Sequence, residues 1–172
     1  CSLVGSEMCI RDRRYYEEEG RAELTPRDFG ILMHRVFENA ATTDEIYMAI
    51  EAMTQDGVLD EKEAPRLREL VEKALADPVT AEWFGGRWQV VRNENEIILP
   101  GSGTTRRPDR VMTDGERAVV VDYKFGDRET ARHRKQIREY LRLLRQMGYT
   151  RTEGYLWYVR LGRTERVEEK ED

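Results

Sequence analysis

Apolar residues recur at helical spacing through the first half of the chain. Phe29, Leu32, Met33, Val36 and Phe37 form one stripe within 27–40, the repeat of an amphipathic helix. Thr42 and Glu45 make a capping-box pattern ahead of Ile46, Ala49, Ile50 and Met53, with Gly57 as the stop. Leu67, Leu70, Val71, Ala74 and Leu75 mark a third helix, ended by Asp77-Pro78. Pro65 sits near its first turn, or residues 60–64 extend it with a kink. The period then drops to two. Strands are predicted over 88–92, with an extension through 97–99, and over 107–113 and 118–123, with Asp114-Gly115 as a hairpin turn between the last two. A charged helix follows over 128–147, with Ile137, Tyr140, Leu141 and Leu144 inward and Gly148 closing it. Residues 154–160 form a core strand, Leu161-Gly162-Arg163 turns, and a weaker last strand precedes a charged tail from Glu168. The order α, several β, α, β predicts an α+β fold with a mixed sheet.

Composition narrows the class. The chain has 172 residues, a length that suits one domain with or without a tail. Charged residues make up 37%, and no apolar run approaches the roughly 20 residues of a membrane span. Collagen, coiled coil and integral membrane protein are excluded. The net charge of −5, from 34 acids and 29 bases, argues against a generally basic coat for nucleic acid. It leaves room for a local basic groove around an acidic site. Cys1 and Cys9 are the only thiols, too few for a disulfide framework or a four-cysteine metal or iron–sulfur site. The first 13 residues, CSLVGSEMCIRDR, lack periodicity and the basic and apolar parts of a signal peptide. They resemble an adapter read-through peptide; a disordered natural linker is the alternative.

The hairpin is where chemistry concentrates. With Asp114 and Gly115 as the two loop residues, Thr113 faces Glu116, Val111 faces Ala118 and Asp109 faces Val120. Alternation then puts Asp109, Val120, Asp122 and Lys124 on one face and Val119, Val121 and Tyr123 on the other. Asp109 and Asp122 become diagonal neighbours about 7–8 Å apart. Two converging carboxylates can hold a divalent cation about 2.0–2.6 Å from their oxygens. Lys124, on the same face, could activate water or stabilise developing negative charge. The plainer alternative is a solvated, charged sheet face. A slip of one residue would send either strand's set to the wrong side.

Arg107-Pro108-Asp109-Arg110-Val111, Val121-Asp122-Tyr123-Lys124 and Gln136-Ile137-Arg138-Glu139-Tyr140 together resemble the PD-(D/E)XK nuclease superfamily. The closer likeness is to the RecB-type nuclease domain of UvrD-like helicase–nucleases such as AddA and RecB. Gly30-Ile31-Leu32-Met33-His34 fits that subgroup's glycine-x-x-x-histidine helix. The resemblance covers about residues 27–160 and implies a restriction-endonuclease-like core, α-β-β-β-α-β with extra N-terminal helices. It makes Asp109, Asp122 and His34 ligands of Mg²⁺ or Mn²⁺ and Lys124 the catalytic lysine. Gln136 and Tyr140 match the family's Q-x-x-x-Y motif, placing amide and phenol where they reach backbone or DNA phosphate. Tyr140 equally suits the core. On the first helix His34, Gly30 and Glu38 lie off the apolar stripe, so His34 can turn toward a site, whereas Glu38 reads as well as a solvated acid. Glu94 or Glu96 faces the site from the preceding strand, and the pattern does not choose between them. Arg106, Arg107, Arg110, Arg132, His133, Arg134 and Lys135 are candidate phosphate contacts, each with solvation or a glutamate pair as its alternative.

The expected activity is a Mg²⁺-dependent deoxyribonuclease, an exonuclease, hydrolysing phosphodiester bonds in double-strand-break repair and recombination. The expected organisation is residues 1–13 adapter-derived or disordered, 14–26 linker, 27–167 nuclease domain and 168–172 charged tail. The resemblance implies as partners single-stranded DNA or a duplex end, the helicase domain of the same parent polypeptide and an AddB-like subunit, with no membrane. The implied location is cytoplasmic, with the bacterial nucleoid. No phosphate loop of the Gly-x-x-x-x-Gly-Lys type occurs, so no ATP motor is visible, and the adapter-like start suggests a helicase part lost at a contig edge. The absence of the four-cysteine cluster favours the AddA-like branch. A catalytically inactive nuclease fold serving as a DNA-binding or scaffolding module is the competing reading.

Overall fold

The computed structural model describes residues 26–98, 105–126 and 130–169. The expectations on residues 1–25, Leu99, 128–129 and 170–172 lie outside the described residues. Helices α1 (Pro26–Glu38), α2 (Thr43–Gln55), α3 (Ala64–Leu75) and α4 (Pro78–Trp83) precede β1 (Val90–Asn93), β2 (Ile97–Ile98), β3 (Thr105–Arg106), β4 (Arg110–Asp114) and β5 (Arg117–Lys124). Helix α5 (Ala131–Gln146), β6 (Arg151–Tyr158), a 3₁₀ turn (Val159–Leu161) and β7 (Arg163–Arg166) follow among the described residues.

The Thr42–Glu45 capping box forms as predicted. Asp77-Pro78 does more than end α3. The Asp77 carboxylate accepts from the Val79 N–H at 2.8 Å, and Pro78 begins α4. One dipeptide therefore serves as a stop and as a cap followed by a first-turn proline. Likewise the strand expected through residues 88–99 is two, broken at Glu94, the one described non-glycine residue with positive φ (53°).

The main sheet has the order β1-β4-β5-β6-β7. Its neighbours are antiparallel except β5 and β6, which run parallel with α5 as their crossover. This is the mixed α+β sheet expected, consistent with a restriction-endonuclease-like fold. Strands β2 and β3 pair separately. Period-two alternation divides the core. Met112, Val119, Val121, Tyr123 and Trp157 pack under α1–α4. Val111, Ala118, Val120, Leu156 and Tyr158 pack under Ile137, Tyr140, Leu141 and Leu144 of α5.

The hairpin register corrects the sequence reading. Asp114 pairs with Arg117, Thr113 with Ala118 and Val111 with Val120, so Gly115 and Glu116 form the loop. Only Gly115 takes positive φ (58°), whereas a type I′ turn needs it at both positions. Partners move by two residues, an even shift that preserves every face. One step beyond the paired stretch, Asp109 stands directly across from Asp122 rather than diagonal to it.

Arg110 is the second correction. It is not a surface cation but 0% exposed. Its guanidinium donates to the carbonyls of Ala40 (2.7 Å), Ala41 (2.8 Å) and Trp83 (2.7 Å) and to Asn93 Oδ1 (3.2 Å). The charge lies 4.0 Å from the centre of the Phe84 ring, a cation–π contact.

Helix α5 crosses β6 at Gly154, where an added Cβ would lie 2.4 Å from Ile137 Cγ2 and 3.1 Å from Leu141 Cδ1. Gly154→Ala is expected to lower unfolding free energy by about 1–3 kcal/mol, since the helix must move to admit the methyl. Urea denaturation monitored by tryptophan fluorescence measures it, and an unchanged midpoint would show that α5 yields freely.

Candidate active site

Three separate elements deliver the first cluster. Gly30 and His34 share one edge of α1. An added methyl on Gly30 would sit 3.5 Å from Phe125 Cβ, so this edge runs close to the end of β5. The His34 ring meets Phe125 edge-on at 4.9 Å. Its Nδ1 lies 3.5 Å from Glu94 Oε1 and 3.9 Å from Asp109 Oδ1. Glu94 follows β1 and Asp109 precedes β4; the Glu94 N–H donates to the Asp109 carbonyl at 2.9 Å. One ligand atom from each of His34, Glu94 and Asp109 lies within 4.8 Å of the others.

The second cluster sits beside it on the α5 side of the sheet. Asp122, 2% exposed, forms an ion pair through Oδ2 with Lys124 Nζ. The Gln136 amide donates to Asp122 Oδ1 at 3.1 Å and to Tyr140 Oη at 2.9 Å. Spacing of four on α5 puts amide and phenol on one edge. Tyr140 packs in the α5 core, and its phenol oxygen accepts from the Gln136 amide. The clusters are joined where the Tyr123 N–H donates to Asp109 Oδ2 at 2.5 Å.

Burial and the neighbouring Asp122 charge push the Asp109 carboxyl up to about 8, against the opposing pull of the Tyr123 N–H and Lys124. Burial lowers the His34 pKa, opposed chiefly by Glu94, so the imidazole is biased toward its neutral, metal-binding form. Burial also raises Tyr140 to about 12, partly countered by its bond to Gln136.

The donor set is one imidazole and several carboxylates, which suits a hard divalent cation such as Mg²⁺ or Mn²⁺. Among the described residues, no donor meets the buried Asp122 Oδ2 in hydrogen-bond geometry, although Lys124 balances its charge. An acceptor left in that state, beside a carboxyl that holds its proton near neutrality, fits a site built for a cation.

The six residues singled out from the sequence therefore lie in two adjoining clusters, and Asp122 neighbours the tight trio instead of joining it. The trio's third member is Glu94, which the strand pattern left undecided. Glu96 is exposed and lines a separate cavity of about 440 Å³ with Ile97, Val111, Leu143, Leu144 and Met147. Glu38 is also exposed, 4.0 Å from Arg107 Nη2 and outside the trio. Most candidate phosphate contacts are engaged within the protein. Arg106 pairs with Glu139 at 3.0 Å, Arg107 with Glu94 at 2.8 Å and Arg134 with Glu165 at 2.5 Å. His133 Nδ1 is 3.4 Å from Tyr158 Oη, whereas Arg132 and Lys135 present their side chains to solvent.

The sequence model of the PD-(D/E)XK nuclease superfamily matches residues 9–172. No curated protein matches the chain.

The raised Asp109 pKa has a signed consequence. A carboxyl whose folded pKa exceeds its unfolded value binds protons more tightly when folded. Metal-free stability therefore falls as pH rises from about 4 through about 8. Asp109→Asn, which cannot ionise, is expected to be more stable than wild type by about 1–3 kcal/mol at pH 8 and nearly equal at pH 5. Denaturation in EDTA at both pH values measures this; a variant less stable at pH 8 would contradict the assignment.

Proposed function

The chain belongs to the PD-(D/E)XK nuclease superfamily, and from that premise we propose that it is a metal-dependent deoxyribonuclease that hydrolyses phosphodiester bonds. The observation that carries the reading is the convergence of His34, Glu94 and Asp109 beside the Asp122–Lys124 pair. His34, Glu94, Asp109 and Asp122 would hold Mg²⁺ or Mn²⁺. When bound, the ion polarises the phosphodiester and lowers the pKa of an attacking water.

The protein's own groups supply the rest. Asp122 takes the ammonium of Lys124 as its counter-charge, keeping Nζ at the edge of the site. There it can donate to the attacking water or to the phosphoryl oxygens as negative charge builds. Gln136 steadies Asp122 through Oδ1 and leaves its own amide oxygen for a further partner. Tyr140, its phenol protonated throughout the neutral range, fixes that amide. Exposed Arg132, one turn before Gln136, and Lys135 are the α5 residues suited to hold the phosphate backbone of the strand.

The finer assignment follows the likeness to AddA and RecB. The domain is an exonuclease working with a UvrD-like helicase domain and an AddB-like subunit at double-strand breaks in the bacterial cytoplasm. That assignment rests on the motif resemblance. Among the described residues, no helix is long and apolar enough to cross a membrane.

Incubation with labelled single-stranded DNA in Mg²⁺, Mn²⁺ or EDTA tests the activity. Cleavage is expected with either ion and not with EDTA, and Asp122→Ala or Lys124→Ala is expected to reduce it by about 10²–10³-fold. Binding without cleavage in every metal would leave the DNA-binding module as the function. Tyr140→Phe keeps the buried ring and removes only the hydroxyl, so it separates the residue's two roles. Loss of the Gln136 bond, worth about 1 kcal/mol, is expected to lower the rate severalfold while circular dichroism stays unchanged; an unchanged rate would make Tyr140 a core residue alone.

A further inference from the structure

We infer that Arg107 is a positioning residue for the metal centre, holding Glu94 in the one backbone and side-chain arrangement that completes the His34–Glu94–Asp109 trio. The inference rests on the metal-centre reading above.

Glu94 is the starting point. Its φ of 53° puts a non-glycine residue in the left-handed region, at a cost of order 1–3 kcal/mol that its surroundings must repay. The surroundings are specific. On one side its N–H donates to the Asp109 carbonyl at 2.9 Å. On the other, Arg107 Nε donates to the Glu94 carbonyl at 2.7 Å and lies 2.8 Å from Glu94 Oε2. The same Nε thus donates to the backbone of Glu94 and pairs by charge with its carboxylate.

The two carboxylate oxygens divide the work. Oε1 faces His34 Nδ1 at 3.5 Å, inside the trio, and Oε2 faces Arg107. An oxygen held by a guanidinium while its twin faces the cation site is the arrangement by which outer partners orient a ligand. Pro108 explains why Arg107 is placed to do this. A residue before proline is held extended, and alternate residues of an extended segment emerge on the same side. Arg107 and Asp109, on either side of Pro108, both bond to Glu94. Arg107 is 52% exposed against 20% for Glu94, so its guanidinium arrives from solvent and adds little to the core.

Positioning and plain electrostatics predict opposite signs. A cation 2.8 Å from a ligand carboxylate repels a second cation, so on charge alone removing Arg107 strengthens metal binding. If Arg107 holds the ligand in place, its removal frees Glu94 to leave the left-handed conformation and binding weakens.

Mn²⁺ titration of the full chain by calorimetry or electron paramagnetic resonance, without DNA, decides between them. Arg107→Gln is expected to weaken Mn²⁺ binding by about 10–100-fold, with thermal unfolding in EDTA close to wild type. Arg106→Gln, which removes the adjacent cation paired with Glu139, is expected to leave binding unchanged or slightly tighter. Arg107→Lys keeps the charge and loses the planar fork, so its weaker binding would have geometry as its cause; it also carries the test if Arg107→Gln does not fold. Wild-type or tighter affinity in the Arg107 variants overturns the inference and leaves the metal centre standing. Failure of the wild type to bind Mn²⁺, or binding untouched by Asp109→Asn, removes the metal centre itself.

Discussion

A single buried guanidinium fixes the frame on which the site depends. Arg110 collects the carbonyls that follow α1, the carbonyl that ends α4 and the side chain of Asn93 at the end of β1. Those are the segments next to His34 and Glu94, and Arg110 itself adjoins Asp109. Carbonyls at helix ends carry partial negative charge, and the Phe84 ring adds its face, so the cation is compensated mainly by dipoles. Removing a buried cation's partners is costly, on the order of several kcal/mol. The helix, strand and loop that carry the trio are thereby tied to one point by bonds that water cannot contest.

With that frame rigid, the site can tolerate its own repulsion. Asp109 and Asp122 stand across from each other on neighbouring strands, with Glu94 beside them. Lys124 offsets Asp122 and Arg107 offsets Glu94, while Asp109 has a backbone N–H and its own proton. Each acid is met by a different means, and none is neutralised so completely that it is lost to a cation. The conflict stays local because Tyr123, Val121 and Val119 on one face and Val120 on the other bury β5 on both sides.

Much of this was legible because side-chain alternation is insensitive to even errors. Placing the turn one residue early displaced the pairing by two, yet Val119, Val121 and Tyr123 still separated correctly from Val120 and Asp122. The helices were legible from their apolar stripes and from the Thr42 cap. Three features were not. An arginine beside an aspartate reads as a surface cation, and nothing local announces that helix-end carbonyls from distant segments will surround Arg110. Glutamate rarely takes positive φ, so no propensity marks Glu94 as the point where β1 stops and turns its carboxylate inward. Asp77-Pro78 carries stop and start signals at once, and the stop was easier to see. Of the site, the residues could be named in advance, whereas their division into two clusters depends on tertiary placement.

The hairpin's tolerance of an even slip bears on how the chain folds. A folding intermediate with β4 and β5 paired two residues out of step would bury the same faces and satisfy a comparable ladder of hydrogen bonds. Hydrophobic collapse alone discriminates weakly between the two arrangements. The native one is favoured by features that contribute little apolar burial: its loop needs positive φ at Gly115 alone, whereas the slipped type I′ loop needs it at Asp114 as well, and Arg110 is anchored by polar groups. The determinants of compactness and of chemical competence are thus partly separate in this protein. A trapped molecule with the wrong hairpin would be folded by most spectroscopic measures, with its two aspartates diagonal instead of opposite and the bond from the Tyr123 N–H to Asp109 lost.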